Sequence, residues 1–300
     1  MSSPIPMFYR VADLTFEVCF AGDNTNGPEL IPSFSPFLVS GKGEDGDFLF
    51  RLMVDDTLKP RSENRERVGS FDTGNGDTIV DRFPDGSYQY IIKDISGRSC
   101  CLLRANKTFT DCKCALNGNF DMRQYGLNNA LILVFAFAAC FRQTLLIHAS
   151  LVRHNGYGYA FTAKSGTGKS TQVSNWLKYI PGCDLMNDDN PVLRIIDGEA
   201  FIYGSPWSGK TPCYRNVKAP LGALTKISRD MENRVESMPP VHAFATLLAA
   251  CSSMKWDSGI YNAICDTVTR VVEATPVYTL HCLPNRESAI VCHAAIAKSV

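Results

Sequence analysis

The sequence predicts an α/β protein in two parts, a β-rich N-terminal domain over 1–117 and an α/β domain over 118–300. Three observations predict it. Short runs of β-branched and aromatic residues, set apart by Gly- and Pro-containing turns, fill the first part. A long apolar segment of helical length then interrupts that pattern. Beyond it, strand-like and helix-like runs alternate as in an α/β core, and one strand-to-helix junction is rich in Gly and ends in Lys-Ser.

In the first part, "FLFRLMV" (48–54), "DTIVDRF" (77–83), "YQYIIKDI" (88–95) and "CCLLRA" (100–105) read as strands. The turns "GNGD", "PDGS" and "SGR" between them predict an antiparallel meander. No chemistry-bearing pattern occurs there, so the segment is expected to serve recognition or assembly. Its cysteines, at 100–101 and 112–114, stand adjacent or one apart. Zinc sites present thiols in C-x2-4-C pairs, so these favour ordinary thiols on a β hairpin over a structural metal.

The run "MRQYGLNNALILVFAFAACFRQ" (122–143) is apolar nearly all round and predicts a buried helix. Its unbroken apolar core, 130–141, is twelve residues long, too short to cross a bilayer. With no signal-peptide pattern at the N-terminus, the expectation is a soluble, cytoplasmic protein with no membrane partner and reduced thiols. Lys+Arg and Asp+Glu both number 30, and no basic run occurs, which argues against a nucleic-acid partner. A hydrophobic share of 45% in 300 residues is enough for a sizeable core.

Two strands are expected next, "TLLIHASLV" (144–152) and "GYAFTA" (158–163), split by the turn "RHNG". The second leads into Ala163-Lys164-Ser165-Gly166-Thr167-Gly168-Lys169-Ser170-Thr171. This is the P-loop pattern G-x-x-x-x-G-K-[ST] with alanine in place of the first glycine. Gly166 and Gly168 let the backbone turn its N–H groups inward onto phosphate oxygens. The following helix adds its positive N-terminal end. Lys169 reaches the β/γ-phosphates and Ser170 offers a hydroxyl to Mg2+. After the loop, Val173, Trp176, Leu177 and Ile180 form an apolar helical stripe, ended by Pro181-Gly182.

Asp188 and Asp189 lie in "CDLMNDDNPVLRI" (183–195), and Asp188 follows Lys169 by 19 positions. That distance allows one helix and a return to a neighbouring strand, bringing both carboxylates to the phosphate loop. Paired carboxylates divide the labour, one holding Mg2+ and the other accepting a proton. On the strand before the loop, alternation puts Leu146, His148, Ser150 and Val152 on one face, with His148 as a candidate donor to phosphate or partner to the aspartates. Downstream, "YGSPWSGKTPCYRN" (203–216) combines glycines, an exposed-looking tryptophan and cations. Lys210, ahead of Arg215, is the candidate for neutralising a transferring phosphoryl group. The rest reads as a strand at "APLGALTKIS", two helices within 239–274, and a last strand and helix.

In order and spacing, "LIHASLV…GYAFTAKSGTGKST…LMNDDNPVL" resembles the nucleotide-binding core of the HPr kinase/phosphorylase family, which shares its fold with phosphoenolpyruvate carboxykinases. The likeness covers 144–195. It implies an HPr kinase-like P-loop core behind the N-terminal β-rich domain, with His148 in the active site. Gly166, Gly168, Lys169 and Ser170 would then form the phosphate and Mg2+ loop, with Asp188 and Asp189 as metal ligand and base. The family's downstream glycine-rich signature is not found here, and the N-terminal part shows no match. The expected activity is ATP- and Mg2+-dependent transfer of the γ-phosphoryl group to a hydroxyl, most naturally a serine of a protein or peptide. A non-catalytic nucleotide-binding module and a carboxykinase acting on a small carboxylic acid are the alternatives. By analogy with the fold's relatives, a homo-oligomer is expected.

Overall fold

The computed structural model describes residues 5–21, 25–43, 45–72, 76–209 and 211–298. It is a mixed α/β protein whose chain divides into two compact units, Met1–Ala139 and Cys140–Val300.

The first unit holds β1 (Ile5–Val11), β2 (Leu14–Phe20), β3 (Leu38–Val39), β4 (Phe48–Val54), β5 (Glu66–Asp72), β6 (Asp77–Arg82), β7 (Tyr88–Lys93), β8 (Ser99–Ala105), β9 (Asp111–Leu116) and α1 (Phe120–Ala139). Its sheet runs β3-β1-β2-β4-β9-β8-β7-β6-β5. The four strands expected from the sequence are β4, β6, β7 and β8. β5 to β9 form an antiparallel meander, but β4 lies parallel to both β2 and β9. Long connections before and after β4 allow the parallel pairing that a tight turn would forbid.

Helix α1 packs on β4, β7, β8 and β9 and buries Leu127, Ala130, Leu131, Val134 and Phe135. The unit boundary therefore falls at 139/140, after this helix, instead of at 117/118, because the apolar helix covers the sheet that precedes it. Phe120–Arg142 is long and apolar enough to cross a membrane by length and composition, beyond the twelve-residue core read from the sequence. Of its most apolar window, 61% is buried within the protein. Cys100, Cys101, Cys112 and Cys114 are buried free thiols on β8 and β9. Burial, with Cys114 beside it, holds the Cys101 thiol well above its usual range.

The second unit contains β10 (Thr144–Leu146), β11 (Ala149–His154), β12 (Tyr157–Thr162), α2 (Lys169–Tyr179), β13 (Asp184–Asp189), β14 (Val192–Ile196), β15 (Glu199–Tyr203), β16 (Lys218–Arg229), β17 (Arg234–Ser237), α3 (Pro240–Ala250), α4 (Ser258–Ala274), β18 (Val277–Cys282) and α5 (Arg286–Ile296). The strand order is β10-β14-β15-β16-β12-β11-β13, with β18 also on β16 and β17 on β18. β16 joins the two halves. Its first residues pair antiparallel with β15, and the remainder pairs parallel with β12 and β18.

β11 and β12 form a hairpin through Asn155-Gly156, both at positive φ (49° and 80°), the backbone that a two-residue Asn-Gly turn requires. Helices α2 and α5 close one core. Trp176 is fully buried there against Tyr159 and Phe161, with Val173, Ile180, Ala223, Ile227 and Cys292.

Two expectations fail locally. Residues 144–152 are two strands, not one: Ile147 bridges to Cys251 and the His148 N–H donates to the Ala250 carbonyl, so the segment after α3 breaks the ladder at His148. Leu177 is exposed, while Gln172 is buried and donates to the Ser288 carbonyl of α5. The buried face of α2 is thus shifted toward Gln172 and away from Leu177.

Candidate functional site

β12 ends at Thr162 and the chain turns through Ala163–Gly168 into α2. Gly166 and Gly168 take φ of 75° and 130°, a backbone that side chains disfavour. The Thr167 N–H closes the turn onto the Lys164 carbonyl at 3.1 Å. Gln172 makes the first helical bond, to the Gly168 carbonyl at 3.0 Å, and no side chain caps the helix. The free N–H groups of the first turn and the helix dipole therefore face the loop. Lys164, Ser165, Gly166, Ser170 and Thr171 are exposed, and Thr167 and Gly168 half-buried.

Lys169 is 9% exposed. Its ammonium donates to the Ala163 carbonyl at 3.1 Å and lies 2.9 Å from His148 Nε2. An ammonium has no lone pair, so Nε2 must be the acceptor and the imidazole proton sits on Nδ1. Nδ1 lies 3.0 Å from Asp189 Oδ1, which accepts that proton's hydrogen bond. Lys169, His148 and Asp189 thus form a directed chain. Burial pulls the Lys169 pKa below its ordinary value, and the negative charges of Asp189 and Asp188 oppose that pull.

Asp188 ends up beside the loop because β13 lies next to β11, which lies next to β12. It is 4% exposed, and its Oδ1 accepts from Ser150 at 2.6 Å and from Ser170 at 3.1 Å. Asp189 is more open, its side chain 34% exposed, with Oδ2 accepting from Asn190 at 2.7 Å. The Asp189 backbone sits at φ 137°, a strained position for a residue with a side chain. Neighbouring bonds hold it there. The Asp188 carbonyl accepts from the Gly209 N–H at 2.5 Å and from Ser208 Oγ at 3.1 Å. Asn187 donates to the Trp207 carbonyl at 3.0 Å and accepts from the Asn190 N–H at 3.0 Å.

The loop after β15 thus braces the aspartates. Lys210 lies outside the described residues. Trp207 is buried, not exposed, with its carbonyl tied to Asn187. Arg215 is drawn away from the site. It donates to the Leu185 carbonyl and pairs with Asp184 at 2.6 Å, and Arg153 grips the same carboxylate at 2.9 and 3.0 Å. Burial works to raise the Asp184 pKa, but the two guanidiniums outweigh it and hold the carboxyl below its usual range. Asp184 stands at the opposite end of β13 from Asp188 and Asp189.

The structure therefore brings together the 163–170 loop, His148, Asp188 and Asp189, and leaves Arg215 elsewhere. Ser150 was already visible on the predicted His148 face, but its bond to Asp188 was not. Arg229, at the end of β16, had no signal in the sequence; it donates to the Gly166 and Thr167 carbonyls at 2.5 and 3.1 Å.

Magnesium, implied by the sequence resemblance, takes hard oxygen ligands, usually one or two carboxylates together with substrate phosphates. The Ser170 hydroxyl and the Asp188 carboxylate, already adjacent, fit that need. Among the described residues no group of three or more His, Cys, Asp or Glu side chains forms a metal cage.

No family model matches the sequence, and no curated protein matches it. Among solved structures, the chain is similar to the Hpr(Ser) kinase/phosphatase from Coxiella burnetii at 8% identity, covering 50% of this chain and 91% of that one, with a TM-score of 0.29. A likeness at that level identifies no family.

Proposed function

We propose that the chain is an ATP- and Mg2+-dependent kinase that transfers the γ-phosphoryl group to a hydroxyl, most naturally a serine of a protein or peptide. One observation carries the reading. The carboxylates at the end of β13 share hydrogen bonds with the glycine-rich turn and its lysine, Asp188 through Ser170 and Asp189 through His148. An amide-lined turn, a buried lysine and two unequal carboxylates at one point are the parts phosphoryl transfer needs. The motif order of the sequence supports the same reading.

In this scheme the loop N–H groups, the α2 N-terminus and Lys169 bind the phosphates. Ser170 and Asp188 would hold magnesium, which would supply charge neutralisation to the bound phosphates. Asp188 suits that role because it is buried and already bound by two hydroxyls. Asp189 suits the base: it is the more open of the two, and His148 orients one of its oxygens. Lys169 gives up its contact with His148 when phosphate takes the ammonium. The carboxykinase alternative needs arginines gathered at the acceptor, and Arg153 and Arg215 are instead both committed to Asp184.

Calorimetric titration with Mg-ATP, followed by ADP release with and without a seryl peptide, tests the proposal. ADP formation that rises with the hydroxyl acceptor is expected. Tight ATP binding with no turnover on any acceptor would leave a nucleotide-binding module, and no binding would end both readings.

A further inference from the structure

We propose that Arg229 is a positioning residue of the phosphate loop, clamping its tip so that the loop presents a fixed amide surface to a polyphosphate. The inference rests on the nucleotide reading above and concerns how that same loop is held.

β12 and β16 run parallel, with Thr162 opposite Lys226. β12 stops at Thr162, but β16 continues three residues further and stays paired with β18, Arg229 opposite Cys282. That overshoot brings Arg229 level with the turn that follows β12. Alternation puts Arg229 on the face of Ala223 and Ile227, which pack in the same core as Val173 and Trp176 of α2. The loop crosses on that side.

The guanidinium then takes two carbonyls of the loop tip. Nη2 donates to Gly166 O at 2.5 Å and Nε to Thr167 O at 3.1 Å. Carboxylates close to it in sequence are otherwise engaged, since Asp230 takes Arg234 at 2.7 Å and His281 at 3.3 Å. Among the described residues Arg229 makes no ion pair, so its charge is spent on the loop.

A trans peptide is planar, with its C=O and N–H pointing in opposite directions. Fixing the Gly166 carbonyl fixes the Thr167 N–H, which closes the turn onto Lys164. Fixing the Thr167 carbonyl turns the Gly168 N–H to the far side, next to the α2 N-terminus. Gly166 and Gly168 are the two most conformationally free points of this turn, so the clamp acts where the backbone would otherwise wander. It also draws electron density from two carbonyl dipoles that would repel a phosphate. Lysine donates from a single nitrogen and lacks the planar fork, so it cannot hold the two carbonyls in the same fixed geometry.

The test measures Kd for Mg-ATP and for inorganic tripolyphosphate on the wild-type chain, Arg229→Ala and Arg229→Lys, with thermal unfolding of each. Arg229→Ala is expected to weaken both ligands about tenfold. Arg229→Lys should fall between it and wild type. Both thermal midpoints should stay within about 2 °C of wild type, since the side chain is exposed. Wild-type affinity in Arg229→Ala overturns the clamp. So does wild-type affinity in Arg229→Lys, which would mean that charge alone suffices. A wild-type chain that binds neither ligand would bring down the nucleotide reading itself, and the inference with it.

Discussion

Lys169 and Asp189 meet on opposite nitrogens of one imidazole, Lys169 Nζ at 2.9 Å from His148 Nε2 and Asp189 Oδ1 at 3.0 Å from Nδ1. The buried lysine of the glycine-rich turn and the candidate base are therefore coupled through a group that fixes the direction of both hydrogen bonds.

Removing that link should separate binding from chemistry. In His148→Ala, Lys169 keeps the Ala163 carbonyl and remains available to phosphate, whereas Asp189 loses the donor that orients it. Steady-state kinetics should show kcat lowered about tenfold to hundredfold with KM for ATP changed little. An equal rise in KM with kcat intact would assign His148 to binding.

The two aspartates should fail differently. Asp189→Asn keeps the shape and the contact with His148 but cannot accept a proton, so kcat should fall by about 10²–10⁴ while Mg-ATP still binds. Asp188→Asn changes a buried carboxylate that accepts from two hydroxyls, and its loss should appear in Mg2+ dependence and ATP affinity. Titrating Mg2+ against each variant distinguishes them. Identical profiles would remove the division of labour.

Lys169→Met retains the buried apolar stem and deletes only the ammonium. The fold should survive, because the native lysine already bears the cost of burial that lowers its pKa. Circular dichroism and thermal unfolding should match wild type while calorimetry detects no ATP binding. Unchanged affinity would refute the phosphate assignment of the loop.

What the sequence made legible was local geometry. A Gly-x-Gly-Lys-Ser turn between strand and helix announces itself because each residue type serves a backbone need within a few positions. The 19-position step to Asp188 was enough to place the carboxylates at the loop, since one helix and one strand leave few other routes. What stayed hidden depends on distant segments. His148 sits in a break instead of a strand because its N–H is taken by Ala250 at the end of α3, next to the Ile147–Cys251 bridge. Arg215 looked free to neutralise phosphate, yet Asp184, 31 positions earlier, claims it. The Arg229 contact spans more than sixty positions. Polar contacts inside helix packing also defeat periodicity, as where Gln172, not Leu177, faces α5.

Acid should loosen the docking of α5. His293 on α5 has Nε2 3.2 Å from His154 Nδ1, and Trp176 stacks edge-on at 5.3 Å. One of the two facing nitrogens must be unprotonated for the bond to exist. Burial, and then the neighbouring His154, push the His293 pKa below its usual 6.5. The unfolded chain therefore takes up this proton first as pH falls, so stability is complete above pH 6.5 and drains away below it. Urea unfolding at pH 7.5 and pH 5.5 should show wild type losing more stability on acidification than His293→Leu, which has no proton to gain. Because α5 bonds to α2 through Ser288 and Gln172, the loosening should reach the helix that carries Lys169 and Ser170. Equal losses in the two proteins would mean that the histidine pair does not govern the acid response.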